Sequence, residues 1–271
     1  MLSMKHSTQN DKSLVRRFSK TIIQFFSAQR RISVSSCTKL IAAFVCALTL
    51  FSVQVRSQSY SDKEFLQYPR AFERWHFQNV VGFNLTVLPR AIVEEEIRQF
   101  PLLSYEARIG LPWNFSATGK IGSNVITNLG SISTQWSYSF GRFACAVGDE
   151  VAFWYGFSEI DGFDLTAQGW LNFPHVTVGF AFDDFMLSVR AETQIITFQS
   201  TVAGETEVKS NKNAFSGFAL GFVIEQPFWK NQHVKLGLKI NYSKQMYQSW
   251  LAFSTFQDYL FYPEFSFGFI F

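Results

Sequence analysis

The chain has 271 residues, 18% of them aromatic and 32 of them Phe, yet its mean hydropathy is only +0.04. Much apolar side-chain area without long apolar runs excludes a bundle of membrane helices, since each span needs roughly 20 consecutive apolar residues. Of the 24 Lys/Arg and 21 Asp/Glu, nine and one fall before residue 58. That leaves 15 basic and 20 acidic residues after it, so the formal charge of +3 misleads and nothing points to nucleic-acid binding.

The first predicted element is an address. Lys39 precedes the apolar run Leu40 to Phe51, and Val55 and Ser57 stand at −3 and −1 of a cleavage site that would leave Gln58 as the new N-terminus. Charged stem, apolar core and small-residue exit are the parts of a secretory signal peptide. Residues 1–38, rich in Ser and Arg, make an unusually long stem, either a genuine extension or a start codon assigned too early. Cys37 and Cys46 leave with residues 1–57, so Cys145 stands alone and no intramolecular disulfide is expected. Residues 58–74 read as a short periplasmic lead into a single domain at 75–271.

From Phe77 onward the dominant period is two, the mark of strands. Expected strands run over 77–88, 102–111, 115–122, 130–140, 143–157, 165–182, 185–198, 214–226, 232–243 and 259–271. The apolar face is heavy in Phe, whereas the other face is rich in Gly, Ser and small polar residues. Large apolar groups suit lipid and small polar groups suit the crowded inside of a narrow barrel. The fold expected is therefore all-β: a closed up-and-down antiparallel transmembrane barrel of about ten strands, with eight as the alternative. Short turns alternate with longer connections at 89–101, 123–129, 158–164, 199–213 and 244–258, as expected for short periplasmic turns and longer outer loops. The 199–213 segment reads as polar and flexible. The 244–258 segment carries Met246, Tyr247, Trp250 and Phe253, apolar enough to fold over the mouth or meet a partner. Aromatics such as Trp113, Phe140, Phe143, Phe182 and Phe271 gather near the turns, at headgroup level.

On these faces the lumen receives Glu106, Arg108, Lys120, Arg190, Glu192, Glu225, Lys235, Lys239 and Glu264, five basic and four acidic groups. Opposite charges in a narrow interior are expected to pair, because an unpaired buried charge is costly. Asp149 and Glu150, in mid-strand, must face the lumen, a bulge or an early loop. His175 reads as a hydrogen-bonded lumen filler, and Asp183-Asp184 as a tight hairpin. The acidic run Glu94-Glu95-Glu96 reads as a solvated loop. No catalytic residues, metal-ligand spacing or cofactor motif emerge.

The last strand ends in Phe265-Ser-Phe-Gly-Phe-Ile-Phe271. A terminal Phe with apolar residues at every second position before it resembles the C-terminal signal of bacterial outer-membrane β-barrel proteins. Here that signal comprises Phe265, Phe267, Gly268, Phe269 and Phe271. The resemblance implies insertion by the barrel assembly machinery into the outer membrane, among lipid and lipopolysaccharide. Within that class the lumen charges favour a structural barrel with a narrow, ion-pair-filled interior. A small-solute, porin-like channel, an enzyme acting on lipid A and a surface binding component are the alternatives.

Overall fold

The computed structural model describes residues 65–89, 99–124, 126–160, 163–229, 232–244, 247, 250 and 259–271. Residues 1–57, Glu94 to Glu96, Met246 and Phe253 lie outside the described residues.

Eleven strands form one antiparallel sheet. They are β1 (Phe77–Val87), β2 (Gln99–Gly110), β3 (Phe115–Ser123), β4 (Thr127–Phe140), β5 (Phe143–Ile160), β6 (Phe163–Asn172), β7 (His175–Ala181), β8 (Met186–Ala203), β9 (Thr206–Trp229), β10 (Gln232–Ser243) and β11 (Leu260–Ile270). Each pairs with its chain neighbours, except that β6 and β7 do not pair with each other. The sheet closes where β1 meets β11, from Val80 opposite Ile270 to Thr86 opposite Glu264. The strands β6 and β7 are two halves of one barrel strand: both pair with β5 on one side and β8 on the other. The barrel is therefore ten-stranded.

The split in the expected 165–182 strand falls at Phe173-Pro174. Proline has no N–H to give the ladder. The wall nevertheless stays shut. Phe173 N–H donates to the Glu150 carbonyl at 2.8 Å, and Thr193 N–H donates to the Pro174 carbonyl at 3.0 Å.

One sequence expectation is overturned. Residues 199–213 are not a flexible loop but the tip of a hairpin, with β8 running to Ala203 and β9 starting at Thr206. Gly204, at φ +61°, turns the chain. Beyond the lipid band neither face of a strand must be apolar, so polar residues that read as a break are hydrogen-bonded ladder. The same reason shortens the 123–129 and 158–164 connections, extends β9 through Gln226 to Trp229, and starts β2 at Gln99.

The outside of the barrel is apolar. Leu103, Ile121, Ile132, Val147, Val176, Phe215 and Phe261 are all exposed. At the end where β1 begins and β11 finishes, Phe140, Phe143, Phe180, Phe182 and Phe185 contact one another in series, with ring centroids 4.4 to 5.7 Å apart. Phe271, Trp75 and Trp113 stand exposed at the same end. Amphipathic and aromatic rings settle at the membrane interface. This is the turn end; the opposite end carries the two longest connections, 88–98 and 244–259.

At the closing seam Gly82 lies opposite Gly268. A side chain on Gly82 would run into the main chain of Phe267 and Gly268. Gly82→Val is therefore expected to impair closure, at a cost of about 1–3 kcal/mol. On a gel run without boiling, less of the variant should migrate as the compact, heat-modifiable form than of the wild type.

Candidate functional site

The lumen follows from period-two alternation. The even-numbered residues of β5 point inward, with Ala144, Ala146, Ala152 and Trp154 buried, while Val147, Val151, Tyr155 and Phe157 face out. All nine charged residues expected inside lie on inward positions. Seven of them, Glu106, Arg108, Arg190, Glu192, Glu225, Lys235 and Lys239, take direct part in the contacts below.

At mid-height the charges pair across the barrel. The Lys235 ammonium meets Glu106 at 2.7 Å. Arg190 meets Glu150 at 2.8 Å and Glu192 at 2.9 Å, and Lys239 also pairs with Glu192. Ser131 donates a further hydrogen bond to Glu150 at 2.8 Å. Glu264 stands directly opposite Lys239 in the ladder. Lys120 lies directly opposite Glu106 in the β2–β3 ladder. Glu150 thus joins the lumen network, whereas its neighbour Asp149 takes the opposite face of β5. Charges are therefore not confined to the lumen side. His175 is buried, with its Nδ1 at 3.1 Å from the Phe173 carbonyl oxygen. Asp183 sits in a hairpin closed by the Phe182 N–H to Phe185 carbonyl bond, and meets Arg142 of the neighbouring turn at 2.8 Å.

The turn end is filled by residues 65–73, which sequence reasoning placed in a periplasmic lead. Phe65, Leu66, Tyr68 and Phe72 are buried. Phe65 and Tyr68 pack on Ala144 and Met186, and Leu66 packs on Val80 and Ile270. Two charged residues grip this plug by its main chain. Glu225, 0% exposed, accepts from the N–H groups of Gln67 (2.9 Å) and Tyr68 (2.9 Å). Arg108, 1% exposed, donates to the carbonyls of Leu66 (2.6 Å), Tyr68 (3.2 Å) and Arg70 (3.0 Å), with its guanidinium 4.1 Å above the Phe72 ring. The Gln67 side chain donates to Glu106 at 2.6 Å, which ties the plug to the mid-height network. The alternation identified Arg108 and Glu225 as inward charges. It carried no sign that their partners are backbone groups rather than each other.

One sector of the loop half of the lumen is apolar, beside buried polar groups such as Gln194 and Asn241. Leu129, Trp154, Leu165, Leu171, Phe173 and Ile196 form one buried cluster with Trp250, which descends from the last loop. The Trp250 indole N–H donates to Thr127 Oγ1 at 3.0 Å, and its ring occupies the space a side chain on Gly156 would need. Tyr247 packs against the same cluster. Burial pushes its hydroxyl well above the usual tyrosine range, so it stays neutral over the carboxylates below. The expected fold of this loop over the mouth is what the structure shows for both residues. Between plug, charges and cap there remains a cavity of about 170 Å³.

A closed sheet leaves no edge to lipid, and its apolar wall and aromatic rim have the chemistry of a surface that faces a bilayer. The chain is a closed, ten-stranded antiparallel β-barrel whose outer wall is built to face lipid. No protein-family model and no curated relative matches it. Among solved structures it is similar to the KdgM porin, at 7% identity and TM-score 0.34, covering 71% of this chain and 98% of the porin. It is also similar to the translocator domain of the autotransporter NalP from Neisseria meningitidis, at 10% identity and TM-score 0.38, covering 88% and 97%. The NanC porin aligns at 8% identity and TM-score 0.36, covering 72% and 98%.

Glu225→Leu is expected to loosen the plug. Removing a buried charged acceptor of two N–H groups costs about 2 kcal/mol or more, so amide exchange at Gln67 and Tyr68 should accelerate roughly thirtyfold. Glu225→Gln, which keeps an acceptor oxygen, should change it less.

Proposed function

We propose that this protein is a closed, structural outer-membrane barrel whose lumen is a packed core rather than a conduit. The observation that carries the reading is occlusion at three heights: the plug held by Glu225 and Arg108, the ion pairs at mid-height, and the Trp250 cap over an apolar cluster. An open channel needs a continuous wet path, and here the turn mouth is stoppered by main chain while the loop mouth is lined by Trp154, Leu165 and Leu171. The β8–β9 hairpin reaches past the lipid band and gives the barrel an ordered outer projection. On the closing strand, Phe265, Phe267, Phe269 and Phe271 alternate outward while Gly268 faces in; this arrangement supports their reading as the insertion signal.

The test is planar-bilayer recording with purified, refolded protein. The expected outcome is an intact membrane with no single-channel steps, while the same sample shows heat-modifiable migration. Discrete steps from such a sample would instead establish a small-solute pore, with the cavity between Lys120 and Glu264 as part of its path.

A further inference from the structure

The seam between β1 and β11 joins the strands farthest apart in the sequence, so its ladder carries the largest loop-closure cost in the barrel. It is also lightly built. The ladder runs from Val80 opposite Ile270 to Thr86 opposite Glu264, with one more exchange of main-chain bonds between Asn79 and Phe271. The flanking ladders are longer: β1 pairs with β2 from Phe77 to Val87, and β11 with β10 from Leu260 to Ile270. Cross-strand side-chain pairs stabilise a ladder. On its inner face the seam offers Gly82 opposite Gly268, Asn84 opposite Ser266 and Thr86 opposite Glu264. Val80 opposite Ile270 is its apolar inner pair.

The plug sits on that pair. Leu66, Val80 and Ile270 form one buried cluster, so a plug side chain meets the seam where both of its strands are apolar. The neighbours of Leu66 reach the strands beyond. Phe65 meets the His233 ring of β10 edge to face, at 4.8 Å between centroids. The Gln67 and Tyr68 N–H groups donate to Glu225 on β9, and the Leu66 and Tyr68 carbonyls accept from Arg108 on β2. Glu106 of β2 takes Gln67 on one carboxylate oxygen and Lys235 of β10 on the other. Residues 65–68 therefore span β2, β1, β11, β10 and β9, five consecutive strands with the seam among them.

We infer that residues 65–68 are an internal clasp that closes the barrel at the β1–β11 seam. Residues 69–76 tie this segment to the start of β1. Once it binds β9 and β10, the last strands are held beside the first at a high effective concentration. The seam then forms as a local contact rather than by closing the longest loop in the chain. In the finished barrel the same contacts hold the seam shut. The inference is independent of whether the barrel conducts.

The test is residue-resolved hydrogen exchange on the full chain refolded in detergent micelles, comparing the β1–β11 ladder with the remote β4–β5 ladder. Leu66→Ala deletes the clasp's contact with Val80 and Ile270 without changing a wall residue. Seam amides should then exchange at least about tenfold faster, and β4–β5 amides at an unchanged rate. Gln67→Leu cuts the side-chain link to Glu106 and should act in the same direction, more weakly. It decides the question if Leu66→Ala does not reach the heat-modifiable form. Equal acceleration in both ladders, which a general loss of stability produces, overturns the inference, as does a folded variant whose seam exchanges like wild type.

Discussion

A backbone in hydrocarbon has only itself to bond, and the pairing of β1 with β11 is where this chain meets that demand. Every other feature inherits from that seam. Closure fixes which residues face in. It forces Gly82 and Gly268 into an approach that tolerates no side chain. It also brings β10 within reach of β2 across β11 and β1, so that Lys235 can meet Glu106. That ion pair spans the seam between the first two strands and the last two, which are far apart in sequence. It exists only in the closed state and helps to hold it.

The interior that closure creates is too narrow to leave its charges in bulk water. Arg190 and Lys239 share Glu192, and Arg190 reaches on to Glu150, so each acid faces at least one base. Such networks contribute less to net stability than to uniqueness: deleting one member leaves an uncompensated buried charge, while exchanging the whole set for packed apolar groups can be neutral. One sector of the loop half takes that second solution, with Trp154, Leu165, Leu171 and Trp250 in place of charges. One barrel thus holds two kinds of core, divided near Phe173, where the wall strand itself is interrupted.

Period two made most of this fold legible. Alternation in β4, β5, β8, β10 and β11 identified both faces, and the nine inward charges followed from it. It failed where its premise of one lipid face and one polar face lapsed. Beyond the lipid band, Gln199 to Asn213 have no reason to alternate by polarity and still form ladder. At Asp149 the outward face of β5 carries a carboxylate opposite Thr134, a place where alternation calls for an apolar side chain. The plug was illegible for a different reason. Its binding runs through the main chain of Leu66 to Arg70, and main-chain recognition leaves almost no residue signature.

That mode of binding bears on why the lumen is filled. Arg108 lies on β2, Glu225 on β9, and Arg142, whose carbonyl accepts from the Tyr68 hydroxyl at 3.1 Å, on the turn between β4 and β5. One extended segment therefore ties three separate sectors of the turn-end rim. Remove it, and Glu225 and Arg108 face one another's side of the barrel across a gap neither was placed to span; each would need water at a site lined by Val80, Met186 and Ile270. The plug supplies five main-chain hydrogen-bonding groups in their stead, at fixed spacing and without further charge. Its apolar side chains cover the remaining wall. A conduit would require this segment to leave while the rim kept its shape, and the rim's own buried charges oppose that.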